Sequence, residues 1–392
     1  MSFDQSQADA IALMSTEPIC IVTGPPGTGK TTCLKGALAQ LRAQGQNVRL
    51  AAPTGKAAKR MQEATGEESV TIHRLLAYDP STNGFHHGAH DPIVADAVII
   101  DEASMVDVAL FSALLDAIDE TQTRLILVGD ANQLPSVGPG AILSDLVRSD
   151  LVPCARLTTV HRSAAESWIC TSAPRILEGE ALDLKARADF AFESCDVALN
   201  VPELCARAYE KHRVAGVQIL VPQKTGKAGA DAINVSLQAR FNPHAKGAPQ
   251  WGHGSNLLRA GDPVIHTQNN YQLGVFNGEC GTVVSIDAES LLVQYPDRTL
   301  RVRYSKADAR ALRLAYALTI HKSQGSEWPW VIVVAHSTHS YMLTRQLLYT
   351  AITRGKAGVC IVGNEQGIAH ALKTKKDSAR NTALCDRIRG EL

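Results

Sequence analysis

The stretch GPPGTGKT at residues 24–31 constrains this chain more than any other feature. It satisfies the spacing G-x-x-x-x-G-K-[ST], follows the apolar run PICIVTG (18–24) and precedes the helical pattern TCLKGALAQLRAQ. In such a turn backbone N–H groups wrap phosphates, Lys30 places a charge on the β and γ phosphates, and Thr31 offers a hydroxyl to Mg2+. A strand must feed the turn and a helix must leave it, which calls for an α/β fold with a parallel sheet and ligands at the carboxyl ends of its strands.

The rest of the first 150 residues fits that demand. VRLAAPT (48–54), AVIIDEA (97–103) and RLILVGD (124–130) are further apolar runs of strand length, each ending in a polar or glycine-rich turn. Asp101 and Glu102 therefore fall at the end of a buried strand behind a P-loop, where Asp101 can hold the Mg2+ shell and Glu102 can orient or deprotonate the attacking water. LVGDANQLPSVGPG, from 127, brings Gln133 to a similar turn, in reach of a γ-phosphate or the water. Hydrolysis also gains from cations that meet the charge developing on the transferred phosphoryl, and Arg162 and Arg354 are the arginines set in suitable blocks, LTTVHRS and LLYTAITRGK.

With 392 residues, 45% of them apolar, the chain can bury more than one core. A second α/β pattern starts near 153, with strands expected at 217–223, 331–337 and 358–364. Short runs between Asn, Gly and Asp turns interrupt it from 240 to 306, which is the pattern of a small all-β barrel. Between the second and third strands, YDPSTNGFHHGAHDPIV predicts a hairpin excursion at 79–94. The expected division is 1–152 with the hairpin inserted, 153–239 with 307–392, and the barrel at 240–306.

Thirty-nine basic residues balance thirty-nine acidic ones, which excludes a uniformly basic coat protein. Up to Asp150 there are 10 basic against 18 acidic residues, and beyond it 29 against 21, so a polyanion is expected on the later part. Nine cysteines stand singly without a metal or disulfide spacing, the amino terminus lacks the basic start of a signal peptide, and no apolar run nears the roughly 20 residues of a membrane helix. The expectation is a cytoplasmic chain with no membrane partner. His86, His87 and His90 in the hairpin share no known ligand spacing with a Cys or an acidic residue.

Taken together, the blocks resemble the RecD-like branch of superfamily 1B DNA helicases, in the family's order along nearly the whole chain. SQADAIAL looks like its Q motif and GPPGTGKTT its first motif. APTGKAAKRM (52–61), TIHRLL (71–76), IIDEASMVD, GDANQLPSVGPG, LVPQKTGKAGADAIN (220–234), NNYQLGVFNGECG (269–281), YALTIHKSQGSEW (316–328) and LLYTAITRGK follow. The resemblance implies two RecA-like P-loop motor domains, the hairpin as a duplex-splitting pin and the 240–306 insert as an SH3-like barrel. It implies an ATP-dependent helicase moving 5′ to 3′ on single-stranded DNA, acting at single-strand/duplex junctions in repair, recombination or replication, and working as a monomer.

Carried onto this sequence, Gln7 would meet the adenine, and Gly24, Pro25, Pro26, Gly27, Thr28, Gly29, Lys30, Thr31 and Thr32 the phosphates, while Gln324, Gly325 and Glu327 lie beside the nucleotide. Lys30, Glu102, Gln133, Arg162 and Arg354 take the catalytic roles, and Thr31 and Asp101 the metal. Thr54, Lys56, His73, Phe85, Thr319, His321 and Lys322 would face the strand. Ser163 stands where members commonly have Gln. Trp251, Tyr271, Tyr316 and Trp328 are further stacking candidates, each with core packing as the plainer reading. The basic tail KTKKDSARNTALCDRIRG reads as a solvated final helix or an extra nucleic-acid contact. Two other functions remain open: a translocase that strips proteins without parting strands, and a nucleotide-switched binding module, against which Glu102 and Arg354 speak.

Overall fold

The computed structural model describes residues 3–159, 167–270, 272–296, 301–375, 380 and 382–390. Contacts group the chain into two units, Met1–Ala165 with Asp377–Leu392, and Glu166–Lys376.

In the first unit the strands are β1 (Ile19–Thr23), β2 (Val48–Ala52), β3 (Ser69–Thr71), β4 (Tyr78–Asp79), β5 (Gly84–Phe85), β6 (Ala97–Ile100), β7 (Arg124–Gly129) and β8 (Cys154–Arg156). Six of them make one parallel sheet in the order β3-β2-β6-β7-β1-β8. Alternate residues of the central strands enter different cores. Ile21, Val98, Ile100 and Leu127 join one cluster, and Cys20, Val22, Ile99 and Ile126 the other. Burial on both faces is why these strands read as unbroken apolar runs. The carboxyl ends of β1, β6 and β7 open on the same edge of the sheet, carrying Gly24, Asp101 and Asp130.

The hairpin is a two-residue ladder, Tyr78 opposite Phe85 and Asp79 opposite Gly84. Asn83 turns it at φ 53, and its side chain accepts from the Tyr78 hydroxyl at 2.7 Å. The tail helix Leu384–Arg389 belongs with the first unit, whereas the sequence placed residues up to 392 in the later domain. The physical reason is an i, i+4 pair, Leu384 and Ile388, which packs against the first unit's core beside helix Ile142–Ser149.

In the second unit β9 (Phe190–Ser194), β10 (Val217–Val221), β16 (Ala317–Thr319), β17 (Trp328–Ala335) and β18 (Gly355–Gly363) form a parallel sheet ordered β16-β10-β17-β18-β9. Between β10 and β16 lie β11 (Pro263–His266), β12 (Cys280–Ile286), β13 (Ser290–Gln294), β14 (Val302–Ser305) and β15 (Leu312–Leu314), an antiparallel sheet ordered β14-β13-β12-β11-β15. This sheet runs past the expected boundary at 306, because β15 closes on β11. One apolar core is common to both sheets, joining Ile219, Val221 and Ile332 to Val264, Leu291 and Tyr304. Among the described residues no helix is long and apolar enough to cross a membrane.

Candidate nucleotide and strand sites

The P-loop connects β1 to helix Lys30–Ala43 with Gly27 at φ 86 and Gly29 at φ 87. Those left-handed values suit glycine, and a Cβ on Gly29 would also lie 2.3 Å from Gln7 Nε2. Gln7 is buried on helix Gln5–Thr16, held in a capping box with Asp4, and its Nε2 donates to Thr28 O at 3.4 Å. Thr28 hydroxyl donates to Pro25 O at 2.8 Å, and Lys30 Nζ to Gly24 O at 2.6 Å and Pro25 O at 3.1 Å. The ammonium thus lies over the loop's own carbonyls. The Thr31 side chain faces outward and Thr32 is half-buried.

Asp101 extends β6 by one residue, its N–H bonding Ala51 O, and its Oδ1 accepts from Glu102 N at 2.8 Å. Glu102 has φ 52, a conformation that costs a non-glycine residue on the order of 1 kcal/mol. The Asp101 bond to the Glu102 N–H offsets part of that cost. Loss of water around the carboxyl, although the residue as a whole is half-buried, and then the Glu102 charge push Asp101 up to about 6, against the Glu102 N–H bond, Lys30 and Arg60. A half-buried carboxylate within the field of the P-loop lysine, with the exposed Thr31 next to that lysine in sequence, has the donor chemistry for a hard divalent cation.

The raised pKa has a stability consequence. A folded value above the unfolded one, about 3.9, gives stability that is fully present below pH 4 and lost as pH rises through 6. Asp101→Asn is therefore expected to raise the Tm of the metal-free and nucleotide-free protein at pH 8, with no gain below pH 4. Thermal melts at both pH values test this, and a Tm unchanged or lowered at pH 8 contradicts it.

Gln133 is buried, its Nε2 donating to Asp130 Oδ2 at 3.2 Å, while Asp130 Oδ1 accepts from Asn132 N at 3.0 Å. Ala131 N donates to Thr23 Oγ1 at 3.3 Å, fastening the β7 turn to the end of β1. In the first unit, then, Gln7, the P-loop, Asp101, Glu102 and Gln133 share one sheet edge.

In the second unit Arg354 follows helix Arg345–Ile352 and is 2% exposed. Its Nε donates to Thr350 O and its Nη1 to Ser326 O, both at 3.3 Å, and its own carbonyl accepts from Trp328 N. It therefore adjoins the 323–327 turn, where Gln324 is buried, Gly325 has φ 68, and Glu327 pairs with Lys356 at 3.0 Å. Arg162 lies outside the described residues, as do Ser163 and Tyr271.

The expected strand-facing residues divide between the units. Thr54 caps helix Gly55–Thr65, accepting from Ala57 N at 3.2 Å, which leaves its O–H free to donate, and Lys56 is half-buried on the first turn. His73 packs with Tyr78 and Phe85 in a three-ring cluster, centroids 5.5–5.8 Å apart, at the foot of the hairpin. Burial lowers the His73 pKa, while Asp107 acts the other way. His86 lies 3.9 Å from Asp79 and His87 3.2 Å from Asp91. Tyr78 was not anticipated, although its place opposite Phe85 follows from the hairpin's register.

In the second unit a groove of about 1250 Å3 runs between the barrel and the end of β16. Thr319 and Lys322 line it with Lys224, Lys306, Arg310 and Arg313, and with the half-buried Trp251; only Asp231 and Asp287 oppose those five cations. Lys322 has its pKa lowered, first by loss of water around the ammonium, although the residue as a whole is exposed, and then by Lys224 and Arg313. His321 adjoins Lys322 without lining the groove. Tyr316 is no platform: it is buried, and its hydroxyl donates to Asp262 Oδ1 at 2.9 Å. Trp328 is half-buried on β17.

Residues 2–191 match the AAA domain family, 233–304 the SH3 domain of ATP-dependent RecD-like DNA helicases, and 314–362 the C-terminal domain of UvrD-like helicases. The chain is 37% identical over 387 residues to the ATP-dependent RecD2 DNA helicase of Deinococcus radiodurans, covering 98% of this chain and 52% of that protein. It is 33% identical over 429 residues to the RecBCD enzyme subunit RecD of Mycolicibacterium smegmatis, covering 99% and 75%. It thus spans about half of the first relative and three quarters of the second. In fold it is similar to Pif1 helicase from Bacteroides in complex with ADP-AlF3 and ssDNA, with TM-score 0.55 and 21% identity over 100% of this chain and 97% of that one. A Pif1 helicase solved at forked dsDNA gives TM-score 0.59 and 20% identity over the same shares.

Proposed function

The chain belongs to the RecD-like family of ATP-dependent DNA helicases, and from that premise we propose that it hydrolyses ATP to move 5′ to 3′ on single-stranded DNA and to part duplex at junctions. The gathering of the P-loop, Asp101, Glu102 and Gln133 at one sheet edge carries this reading. Lys30 leaves its loop carbonyls for the β and γ phosphates, Gln7 fixes the base side of the loop, and Glu102 orients the attacking water and takes its proton. Thr31 and Asp101 would hold Mg2+, which supplies charge neutralisation on the phosphates. Gln133 reads the γ-phosphate, and Arg162 and Arg354 offset charge on the transferred group.

In the first unit Thr54, Lys56, His73 and Phe85 would meet the strand, and in the second Thr319, His321 and Lys322 with the cationic groove. Hydroxyl and ammonium groups in such numbers grip phosphate and ignore sequence, as a motor requires. A ligand moves such a protein only by contacting its states differently, and loss of the γ-phosphate removes one such contact. The protein acts as a cytoplasmic monomer in repair, recombination or replication; nine thiols, none of them in a disulfide, fit a reducing compartment. The shortness of the hairpin, two residues to a strand, favours a second reading in which the motor displaces bound proteins and leaves duplex intact.

An unwinding assay with ATP on 5′-tailed and 3′-tailed duplexes decides between these. We expect the 5′-tailed substrate alone to open. Preference for the 3′ tail overturns the polarity, and ATP turnover on single strands with neither duplex opened favours the second reading.

A further inference from the structure

The loop 133–140 begins at the buried Gln133 and is gripped from two sides. On one side it lies against the start of helix Val108–Asp116: a Cβ on Gly138 would fall 2.2 Å from Asp107 Oδ2, and one on Gly140 2.3 Å from Val108 Cγ2. On the other side stands Arg380 of the tail. Its Nη1 donates to Gly138 O at 2.8 Å and Gly140 O at 2.6 Å, and its Nη2 to Ser136 O at 2.8 Å. Gly138 O also accepts from the Ser136 hydroxyl at 3.0 Å, and one side chain, Arg380, reaches all three carbonyls. A guanidinium can do this because its donors are fixed in a planar fork; a lysine ammonium is a single point of charge.

The tail is anchored independently of that grip. Thr382 hydroxyl donates to Asp145 Oδ2, Arg389 donates to Arg148 O and Ser149 O, and Leu384 and Ile388 pack on the core. Nothing in this anchorage needs an arginine at 380, and nothing in the reading of the tail as a nucleic-acid contact uses the direction its guanidinium takes.

We propose that Arg380 is a positioning residue for ATP hydrolysis, holding the carbonyls of residues 136, 138 and 140 so that Gln133 stays presented at the nucleotide edge. The inference rests on the proposed role of Gln133 in hydrolysis. Freed of Arg380, the loop keeps the Val108 N–H bond to Pro139 O and Gln133 keeps its bonds to Asp130, but the segment after Gln133 loses three of its ties and its hold on the Gln133 side chain slackens, while the P-loop and Gln7 are untouched. The effect therefore falls on kcat and spares ATP binding.

Steady-state ATPase of the full chain with oligo(dT) tests this on four variants. Arg380→Ala is expected to lower kcat about tenfold, within the range a misplacement of about 1 Å can cost, with KM for ATP changed less than about twofold. Arg380→Lys recovers only part of the loss. Thr382→Val, which loosens the tail and leaves the loop carbonyls held, lowers Tm at unchanged kcat. Gln133→Ala sets the scale, with a fall in kcat at least as large as that of Arg380→Ala. If Arg380→Ala lowers only Tm, or Thr382→Val lowers kcat as much, Arg380 is merely structural and the proposal fails. A normal kcat in Gln133→Ala removes the reading of the loop and this inference with it, whereas a low kcat there beside a normal one in Arg380→Ala overturns this inference alone.

Discussion

Lys30→Ala is expected to lower DNA-stimulated ATP turnover by about 10²–10³-fold or more, the scale set by removing one preorganised donor from a transition state. The ammonium in the wild type is held by Gly24 O and Pro25 O, two acceptors within its own loop. Its exchange from those carbonyls to phosphate is local and asks for no refolding, so the substitution removes a charge and leaves the loop glycines and Thr28 in place. Binding of single-stranded oligonucleotide, followed by fluorescence anisotropy without nucleotide, should remain within about threefold of wild type, since Lys30 is not among the residues proposed to meet the strand. Turnover close to wild type contradicts the reading of the P-loop. Loss of strand binding in parallel with turnover points to misfolding, which a Tm measured on the same sample separates from a direct role.

Glu102→Gln is expected to lower kcat by about 10²–10⁴-fold, the contribution of a positioned general base, with ATP still bound. Glutamine keeps the length and a hydrogen-bonding end and loses the ability to take a proton. The backbone at 102 is already at φ 52 and stays fastened by Asp101 Oδ1, so geometry is kept while chemistry is removed. The variant should therefore bind a fluorescent ATP analogue as the wild type does and accumulate ATP in single-turnover mixtures. Comparable hydrolysis by this variant assigns the proton transfer elsewhere. Weakened nucleotide binding with unchanged kcat would make Glu102 a binding residue.

The parts of the site written contiguously were legible in the sequence. The P-loop is eight consecutive residues whose spacing has one mechanical use, and Asp101 and Glu102 end a four-residue apolar strand buried along its length. Strands β1, β2, β6 and β7 could be read because burial on both faces leaves unbroken apolar runs. Strands β3, β8 and β16 have three residues each and exist because a long neighbour offers a ladder, which no local pattern records. β9, FAFES, carries an alternation that could have found it. The groove cations come from separate places, Lys224 after β10, Lys306 and Arg310 after β14, Arg313 on β15, and only the path of the chain collects them. The tail's apolar pair was visible, but two residues do not say which core they will join.

Asp262 is a small detail with a larger effect. It is wholly buried, and it accepts from Gln238 Nε2, Asn242 Nδ2, Arg259 N and Tyr316 Oη, side chains and backbone drawn from the helix before the barrel, the barrel's entry and the strand beyond its exit. Asn234 adds two bonds to the backbone of Ala317, and a single apolar core runs beneath them all. The barrel is consequently not a bead on a hinge. The two walls of the groove share one core and one buried carboxylate, so the part of the wall that the barrel supplies is fastened to the sheet that supplies the rest.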